Sequence, residues 1–164
     1  REAITAALRE EQQHAAAGIL GMAGGASGGD ILFHEACAEL GIDSRLFLAL
    51  PSEAYIAKSV QVDGAPQWIE RFRAVEQRTK PRVLCTQGRL PGWLAKREHG
   101  YVWVRNNLWT LHNALAHGGN NVTLIALWNG DTGDGPGGTE HMVKEAKARG
   151  AKVVILDTGE LCGL

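Results

Sequence analysis

The sequence has no excess of charge of either sign. Lys and Arg number 17 against 18 Asp and Glu in 164 residues, for a formal net charge of −1. A protein that holds nucleic acid or an anionic membrane surface usually presents a strongly positive face. The composition therefore argues against nucleic acid and membranes as partners.

Long apolar runs are also missing. Uninterrupted apolar stretches last only a few residues, whereas a membrane-spanning helix needs about 20. The first residues, REAITAALREEQQHAAAG, lack the apolar segment and cleavage pattern of a signal peptide. We therefore expect a cytoplasmic protein. Because the chain has no initiator Met, we interpret residues 1–164 as a single domain from a larger multidomain protein.

Metal-binding and disulfide patterns are absent too. Cys37, Cys85 and Cys162 are odd in number, and no C-x-x-C spacing occurs, which is typical of reduced structural thiols. The histidines are dispersed without an H-E-x-x-H pair, so neither a metal nor another cofactor is implied. His34 and Glu35 fall within one predicted helix and are expected to be a partly exposed pair.

What the chain does contain is an alternation of helices and apolar strands. Helices are predicted over 2–14, 30–40, 52–60, 66–78, 101–117 and 138–149, and strands over 15–23, 44–50, 82–86, 121–128 and 152–156. Near-continuous apolar strands between helices predict an α/β fold, a doubly wound, mostly parallel sheet with helices on both faces. The pattern leaves open a first strand upstream of Arg1.

Two glycine-rich loops, GGASGGD (24–30) and NGDTGDGPGG (129–138), each follow a predicted strand and precede a helix. In an open parallel sheet this is the edge where ligands bind. Glycine leaves backbone N–H groups accessible at a helix N-terminus, which suits a phosphate. The loops predict a ligand with phosphates or a ribose, and the alternative is that the glycines only serve tight turns.

Several side chains near these loops have two interpretations each. Asp131 and Asp134 would bind ribose hydroxyls or be solvated turn residues, and Asp30 would contact ligand or cap its helix. Trp128, at the end of a strand, would stack on a base or fill core space. Asn106 and Asn107, on the long helix, would meet the base or simply lie on the helix surface.

Neither loop matches a better-known nucleotide motif. The first has no Lys-Ser/Thr ending, fits G-x-G-x-x-G only loosely, and is not followed by an acidic residue at the end of the next strand. Ser27 does fit the G-x-S-x-G nucleophile elbow. A serine hydrolase would need an Asp and then a His downstream, and only Asp131 with His141 offers that order near a loop.

The stretches GGASGGD with LALPSEAYIAKSV, and IALWNGDTGDGPGGTEHMVKEAKARGAKVVIL, resemble the SLOG superfamily over about residues 18–156. These Rossmann-like domains are related to LOG phosphoribohydrolases, to DprA and to nucleoside 2-deoxyribosyltransferases. Pro136 to Thr139 resembles the P-G-G-x-G-T signature of LOG enzymes with a two-residue contraction. The resemblance implies a Rossmann-like fold and a nucleotide site, with contacts from two groups of residues. These are Gly24, Gly25, Ser27, Gly28, Gly29 and Asp30 in the first loop, and Gly137, Gly138 and Thr139 after the second.

One position departs from the catalytic relatives. They carry a glutamate three residues after the threonine, where this chain has Met142. Glu140 points about 200° away from Met142 on a helix and does not replace it. The resemblance therefore favours a ligand-sensing domain, coupled to a fused effector, that binds a nucleotide or nucleotide derivative. The alternatives are a phosphoribohydrolase or N-glycosidase acting on nucleotides, and a non-catalytic scaffold that forms homo-oligomers.

Overall fold

The computed structural model describes residues 1–95, 101–131 and 137–162. Helices and strands alternate along most of this chain. In order they are α1 (Glu2–His14), β1 (Gly21–Ala23), α2 (Gly29–Glu39), β2 (Ser44–Leu48), α3 (Ser52–Tyr55) with a π-helical turn (Ile56–Val60), α4 (Gln67–Thr79), β3 (Arg82–Val83), α5 (Gly92–Ala95), α6 (Val102–Leu115), a 3₁₀ turn (Gly119–Asn121), β4 (Thr123–Leu127), α7 (Thr139–Ala148), β5 (Lys152–Leu156) and α8 (Thr158–Cys162).

The strands form two parallel sheets. One has the order β1-β2-β3, and the other pairs β4 with β5. The predicted α/β class with parallel strands is confirmed. The predicted single sheet is not seen, since β1 and β4 are not hydrogen-bonded to each other within the described residues.

Helices cover both faces of β2, because successive side chains of a strand point to opposite sides. Leu46 and Leu48 share a buried cluster with Ile31 of α2 and Phe72 of α4. The intervening Phe47 meets Trp109 of α6 edge to face, with ring centroids 4.8 Å apart. The first sheet therefore lies between two layers of helix.

Helix α1 connects the two sheets. Leu8 packs in one cluster with Ala36 of α2 and with Ile125 of β4. Near the other end of α1, a Glu11 carboxylate oxygen accepts a hydrogen bond from Lys152 Nζ at 2.6 Å, at the start of β5. The second sheet is thus tied to the first through this helix rather than through strand pairing.

Some predicted boundaries were wrong. The predicted strand 15–23 begins only at Gly21, because Gly18 turns the chain with φ +80° and its N–H bonds back to the Ala15 carbonyl at 3.2 Å. The predicted helix 52–60 ends in a π turn, and β3 has two residues instead of five. Helices α5 and α8 fall where no helix was predicted.

Cys37 and Cys85 are free and buried, and the side chain of Cys162 lies outside the described part. Within 1–95, 101–131 and 137–162, none of the helices combines the length and apolarity that crossing a bilayer requires.

Candidate functional site

A cleft of about 1210 Å³ separates the two sheets and opens along β1 and β4. The first glycine loop lines it through Gly24, Ser27, Gly29 and Asp30, and residues 137–139 line it from the second. The two loops, more than a hundred residues apart in sequence, therefore border one space. Gly25, Gly28, Trp128 and Asp131 are not among the described residues that line this cleft.

Along the cleft, β1 and β4 each have one side that pairs with no other strand in the part of the chain that the structure describes. The Gly21 N–H donates to the Asp43 carbonyl of the β2 side at 2.8 Å, and the Trp128 N–H donates to the Leu156 carbonyl of β5 at 3.0 Å. Backbone groups of successive residues in a parallel strand point to alternate sides. Those of Met22 and Ile125 consequently point away from the paired neighbours and toward the cleft.

The first glycine loop uses three of its own amides internally. The Gly25 N–H donates to the Tyr55 hydroxyl oxygen and the Ala26 N–H to Asp30 Oδ2, both at 3.1 Å. The Ser27 N–H donates to the Ser59 carbonyl at 2.9 Å. The donors left for a ligand are therefore those at the start of α2.

Close packing accounts for part of the glycine content. A Cβ on Gly24 would lie 2.5 Å from Asp30 Oδ2, and one on Gly25 would lie 2.8 Å from Phe72 Cε2. Gly28 has φ +89°, a conformation that favours glycine. Tight-turn and packing demands thus explain these three residues. Gly29 has neither constraint, since its Cβ would meet only Leu127 at an ordinary 3.8 Å.

Two helix N-termini border the cleft. The Leu32 N–H donates to the Gly28 carbonyl at 3.0 Å, and the Met142 N–H to the Gly138 carbonyl at 3.3 Å. The amides that precede each of these bonds in α2 and α7 have no acceptor within their own helix. Such N–H groups, together with the helix dipole, favour an anion.

The last residues of the second loop, Gly137 and Gly138, lie beside α6 and at the start of α7. The Gly137 carbonyl accepts a hydrogen bond from Asn107 Nδ2 at 2.6 Å. Gly137 has φ +93°, and a Cβ there would lie 3.0 Å from the Val104 backbone nitrogen. Gly138, the N-cap of α7, has an unstrained φ of −76°. Asp134, which would bind a ribose hydroxyl or be a solvated turn residue, and Pro136 of the signature stretch lie outside the described residues.

Trp128 and Asp131 contact each other. Trp128 Nε1 donates to the Asp131 carbonyl at 2.7 Å, and the Asp131 N–H donates to Asn129 Oδ1 at 3.1 Å. The Asp131 carboxylate, in turn, accepts from Asn129 Nδ2 at 2.7 Å. These bonds match the turn interpretation of Asp131 given from sequence.

Burial perturbs the acidity of two side chains that line the cleft. Burial raises the pKa of the Asp30 carboxyl, and the Ala26 N–H bond lowers it in part. Burial also raises the pKa of Tyr55, with a further contribution from the Asp30 charge. A carboxyl group and a phenol with raised pKa therefore lie together behind the first loop.

His34 holds the loop from beneath, and the prediction that it is partly exposed was wrong. Its side chain is fully buried. Nε2 lies 3.0 Å from the Gly24 carbonyl, which accepts only, so Nε2 carries the proton and Nδ1 accepts from the Ser44 hydroxyl at 2.9 Å. Burial lowers the pKa of His34 to about 4. The ring is neutral and links α2, β2 and the loop.

The face of α6 that lines the cleft includes Asn106 and Asn107. The sequence left open whether these two residues meet a base or lie on the helix surface. Trp103, Asn106, Asn107, Thr110 and Ala114 line it at the spacing of one helix face. Asn106 is only 3% exposed, and its Oδ1 has no hydrogen-bond partner among the described residues. The signal for this face was the i, i+3, i+4, i+7 spacing of Trp103, Asn106, Asn107 and Thr110 in WVRNNLWT.

Met142, the position where the resemblance to the SLOG superfamily would place a glutamate, lines the cleft. Glu140 pairs instead with Lys144, with the Nζ to Oε1 distance 2.5 Å. This ion pair holds the Glu140 carboxylate against its own helix.

Two other chemistries find no support in the residues that the structure describes. These residues contain no group of three His, Cys, Asp or Glu placed to hold a metal. They also place no histidine ring in a hydrogen bond with Ser27, as a serine nucleophile requires.

Comparisons of the chain with protein-family models, with curated proteins and with solved structures find no match.

Proposed function

We propose that the cleft binds a nucleotide or a nucleotide-derived molecule whose phosphate lies between the N-termini of α2 and α7. The observation that carries the proposal is that both glycine loops border one cleft. A Cβ added to Gly29 would lie 3.8 Å from a methyl carbon of Leu127, at the carboxyl end of β4. The start of α2 is thereby near the strand that leads to the second loop.

The strand arrangement supports the same proposal. The unpaired edges of β1 and β4 both line the cleft, and the loops follow these two strands. We interpret the two sheets as halves of a Rossmann-like, SLOG-type arrangement in the order β3-β2-β1-β4-β5. The cleft then corresponds to the switch point, where open α/β sheets bind ligands.

The proposed role is ligand sensing, with the binding event passed to a fused effector domain in a cytoplasmic protein. Met142 at the cleft, in place of the family glutamate, favours binding over cleavage. Helix α1, which packs on both sheets, offers a route by which the bound state reaches a neighbouring domain.

A nucleotide N-glycosidase is the second candidate, and Asp30 is the observation in its favour. Burial raises the pKa of this carboxyl at the wall of the cleft, and a general acid that protonates a leaving base needs such a shift. Against this candidate, Asp30 Oδ2 is already engaged by the Ala26 N–H.

A thermal-shift panel of nucleotides, cyclic nucleotides, ADP-ribose and ribose 5-phosphate tests the proposal. Binding to the native state raises the apparent melting temperature. Chromatography of the same mixtures for free base separates sensing from cleavage. Absence of any shift, together with oligomers that grow with concentration, would instead support the scaffold alternative.

A further inference from the structure

We infer that Asn106 selects the base of the bound nucleotide by accepting a hydrogen bond from an exocyclic amino group. The inference rests on the proposed function and deepens it, since it names the ligand as a nucleotide with an amino-bearing base. The observations concern one side chain, its fixed orientation and its neighbours on α6.

The orientation of the Asn106 amide is set by the protein. Nδ2 donates to the Phe47 carbonyl of β2 at 3.2 Å. A carbonyl accepts only, so the nitrogen must face Phe47 and the oxygen must face away from it. Asn106 thus presents a fixed acceptor rather than a reversible donor and acceptor pair.

That acceptor is unsatisfied. Oδ1 is buried and has no partner among the described residues, although Asn106 lines the cleft. An unpaired buried oxygen is costly, and most buried polar atoms in folded proteins do have a partner. Oδ1 itself is covered in this structure, so a ligand N–H reaches it only when the atoms that cover it move aside. The hydrogen bond then formed removes this cost, so the residue is suited to recognition.

The surroundings suit a base. Trp103 lies one turn before Asn106 on the same face of α6 and also lines the cleft. It meets Tyr55 edge to face, with ring centroids 5.5 Å apart, which fixes an aromatic surface beside the acceptor. A flat base can stack on this aromatic surface while its amino group donates a hydrogen bond to the amide oxygen. Asparagine accepts a hydrogen bond from the amino group of adenine in DNA in the same way.

The loops and Asn106 divide the ligand between them. The amides of α2 and α7 meet the phosphate, whereas Asn106 touches only the base. Loss of Asn106 should therefore affect base selection and leave binding of a sugar phosphate without a base unchanged. Asn107 is the matched control, since the same residue type holds the Gly137 carbonyl of the phosphate loop.

The test compares paired ligands by calorimetry on the whole chain. The pairs are AMP with purine riboside 5′-monophosphate, GMP with IMP, and CMP with UMP, and ribose 5-phosphate serves as the ligand without a base. In the wild-type protein the tightest pair should favour its amino-bearing member by about tenfold, the value of one net hydrogen bond.

One substitution at Asn106 removes the acceptor. Asn106→Leu should reduce the preference to within about twofold, with ribose 5-phosphate affinity unchanged as proof of an intact site. Asn107→Leu should weaken every phosphate ligand equally and leave the preference in place.

The outcomes distinguish the two proposals. If wild-type protein binds ribose 5-phosphate but no pair shows an amino preference, or if Asn106→Leu retains it, the role of Asn106 is refuted and the phosphate site stands. A water molecule held by Oδ1 in place of a ligand would give this result. If the wild-type protein binds none of the seven compounds, the proposed function fails and Asn106 with it.

Discussion

The Tyr55 hydroxyl oxygen lies 3.1 Å from the backbone nitrogen of Gly25 and accepts its hydrogen bond across 30 positions of sequence. Tyr55 is almost fully buried and stacks on Phe72, with ring centroids 5.9 Å apart. The first glycine loop is therefore shaped by a rigid aromatic side chain from α3.

Removal of that hydroxyl should cost stability. Tyr55→Phe keeps the ring but leaves the Gly25 N–H without its acceptor, so we expect the free energy of unfolding to fall by about 1–3 kcal/mol. Urea denaturation measures the change. Tyr101→Phe removes a hydroxyl from a side chain that is 60% exposed and serves as the control. Equal midpoints for Tyr55→Phe and wild type would show that the bond contributes nothing.

The glycines of the first loop should respond unequally to alanine. Gly24→Ala brings a Cβ to 2.5 Å from Asp30 Oδ2, so the carboxylate must move and its bond to Ala26 is disturbed. We expect a loss of about 1–3 kcal/mol, typical of overpacking. Gly29→Ala makes only an ordinary contact with Leu127 and should unfold at the wild-type urea concentration within error. Comparable losses in both variants would contradict this account of the loop.

Charge at the start of α7 should separate folding from binding. Gly138 has φ −76° and is the N-cap, where Asp and Asn are both favoured. Gly138→Asp should therefore leave the melting temperature of the free protein unchanged or raised, yet abolish the thermal shift with ribose 5-phosphate or AMP through repulsion. Gly138→Asn is the uncharged control of nearly equal shape and should retain most of the shift. A normal shift in the Asp variant would remove the anion site from this helix end.

Acid should destabilise the protein through His34. Burial lowers the pKa of His34 to about 4 in the folded state, below the ordinary 6.5. The unfolded chain then binds more protons between these values, so stability is greatest above pH 6.5 and declines as the pH falls toward 4. The full effect is about 3 kcal/mol. Urea midpoints at pH 7.0, 5.5 and 4.5 measure it.

A variant isolates this contribution from Asp30, whose raised pKa acts in the opposite direction and destabilises the fold as the pH rises above 3.8. His34→Gln keeps a neutral polar side chain of similar length and has no group that titrates in this range. The difference between wild type and His34→Gln should therefore shrink as the pH falls. A difference that does not vary with pH would mean that His34 titrates normally.

Local patterns predicted most elements but not their association. The apolar run at 46–48 and the stop at Gly41 were enough to place β2 and the end of α2. Whether β1 pairs with β4 depends on contacts between segments about a hundred residues apart, and no local sequence window contains both segments. Both strands were predicted, and their separation was not.

The site shows the same division. The two glycine loops were visible as composition, and their meeting at one cleft followed from the rule for carboxyl edges. The burial of His34 was missed because its hydrogen-bond partners, the Gly24 carbonyl and the Ser44 hydroxyl, lie outside the helix that contains it. The helix sequence alone gives no sign of them. The acceptor of Asn106 was missed for the same reason, since its orientation depends on Phe47, 59 positions away.

The backbone N–H groups of Met22 and Ile125 point toward the cleft instead of toward a paired strand. This orientation should affect how fast they exchange their hydrogens with solvent. Strand amides at the middle of an α/β domain are ordinarily the last to take up deuterium, because they are hydrogen-bonded to strands on both sides. Among the described residues, β1 and β4 each have a hydrogen-bonded strand on one side only. The N–H groups of Met22 and Ile125 should therefore exchange faster than the strand amides of β2, which has a strand neighbour on each side.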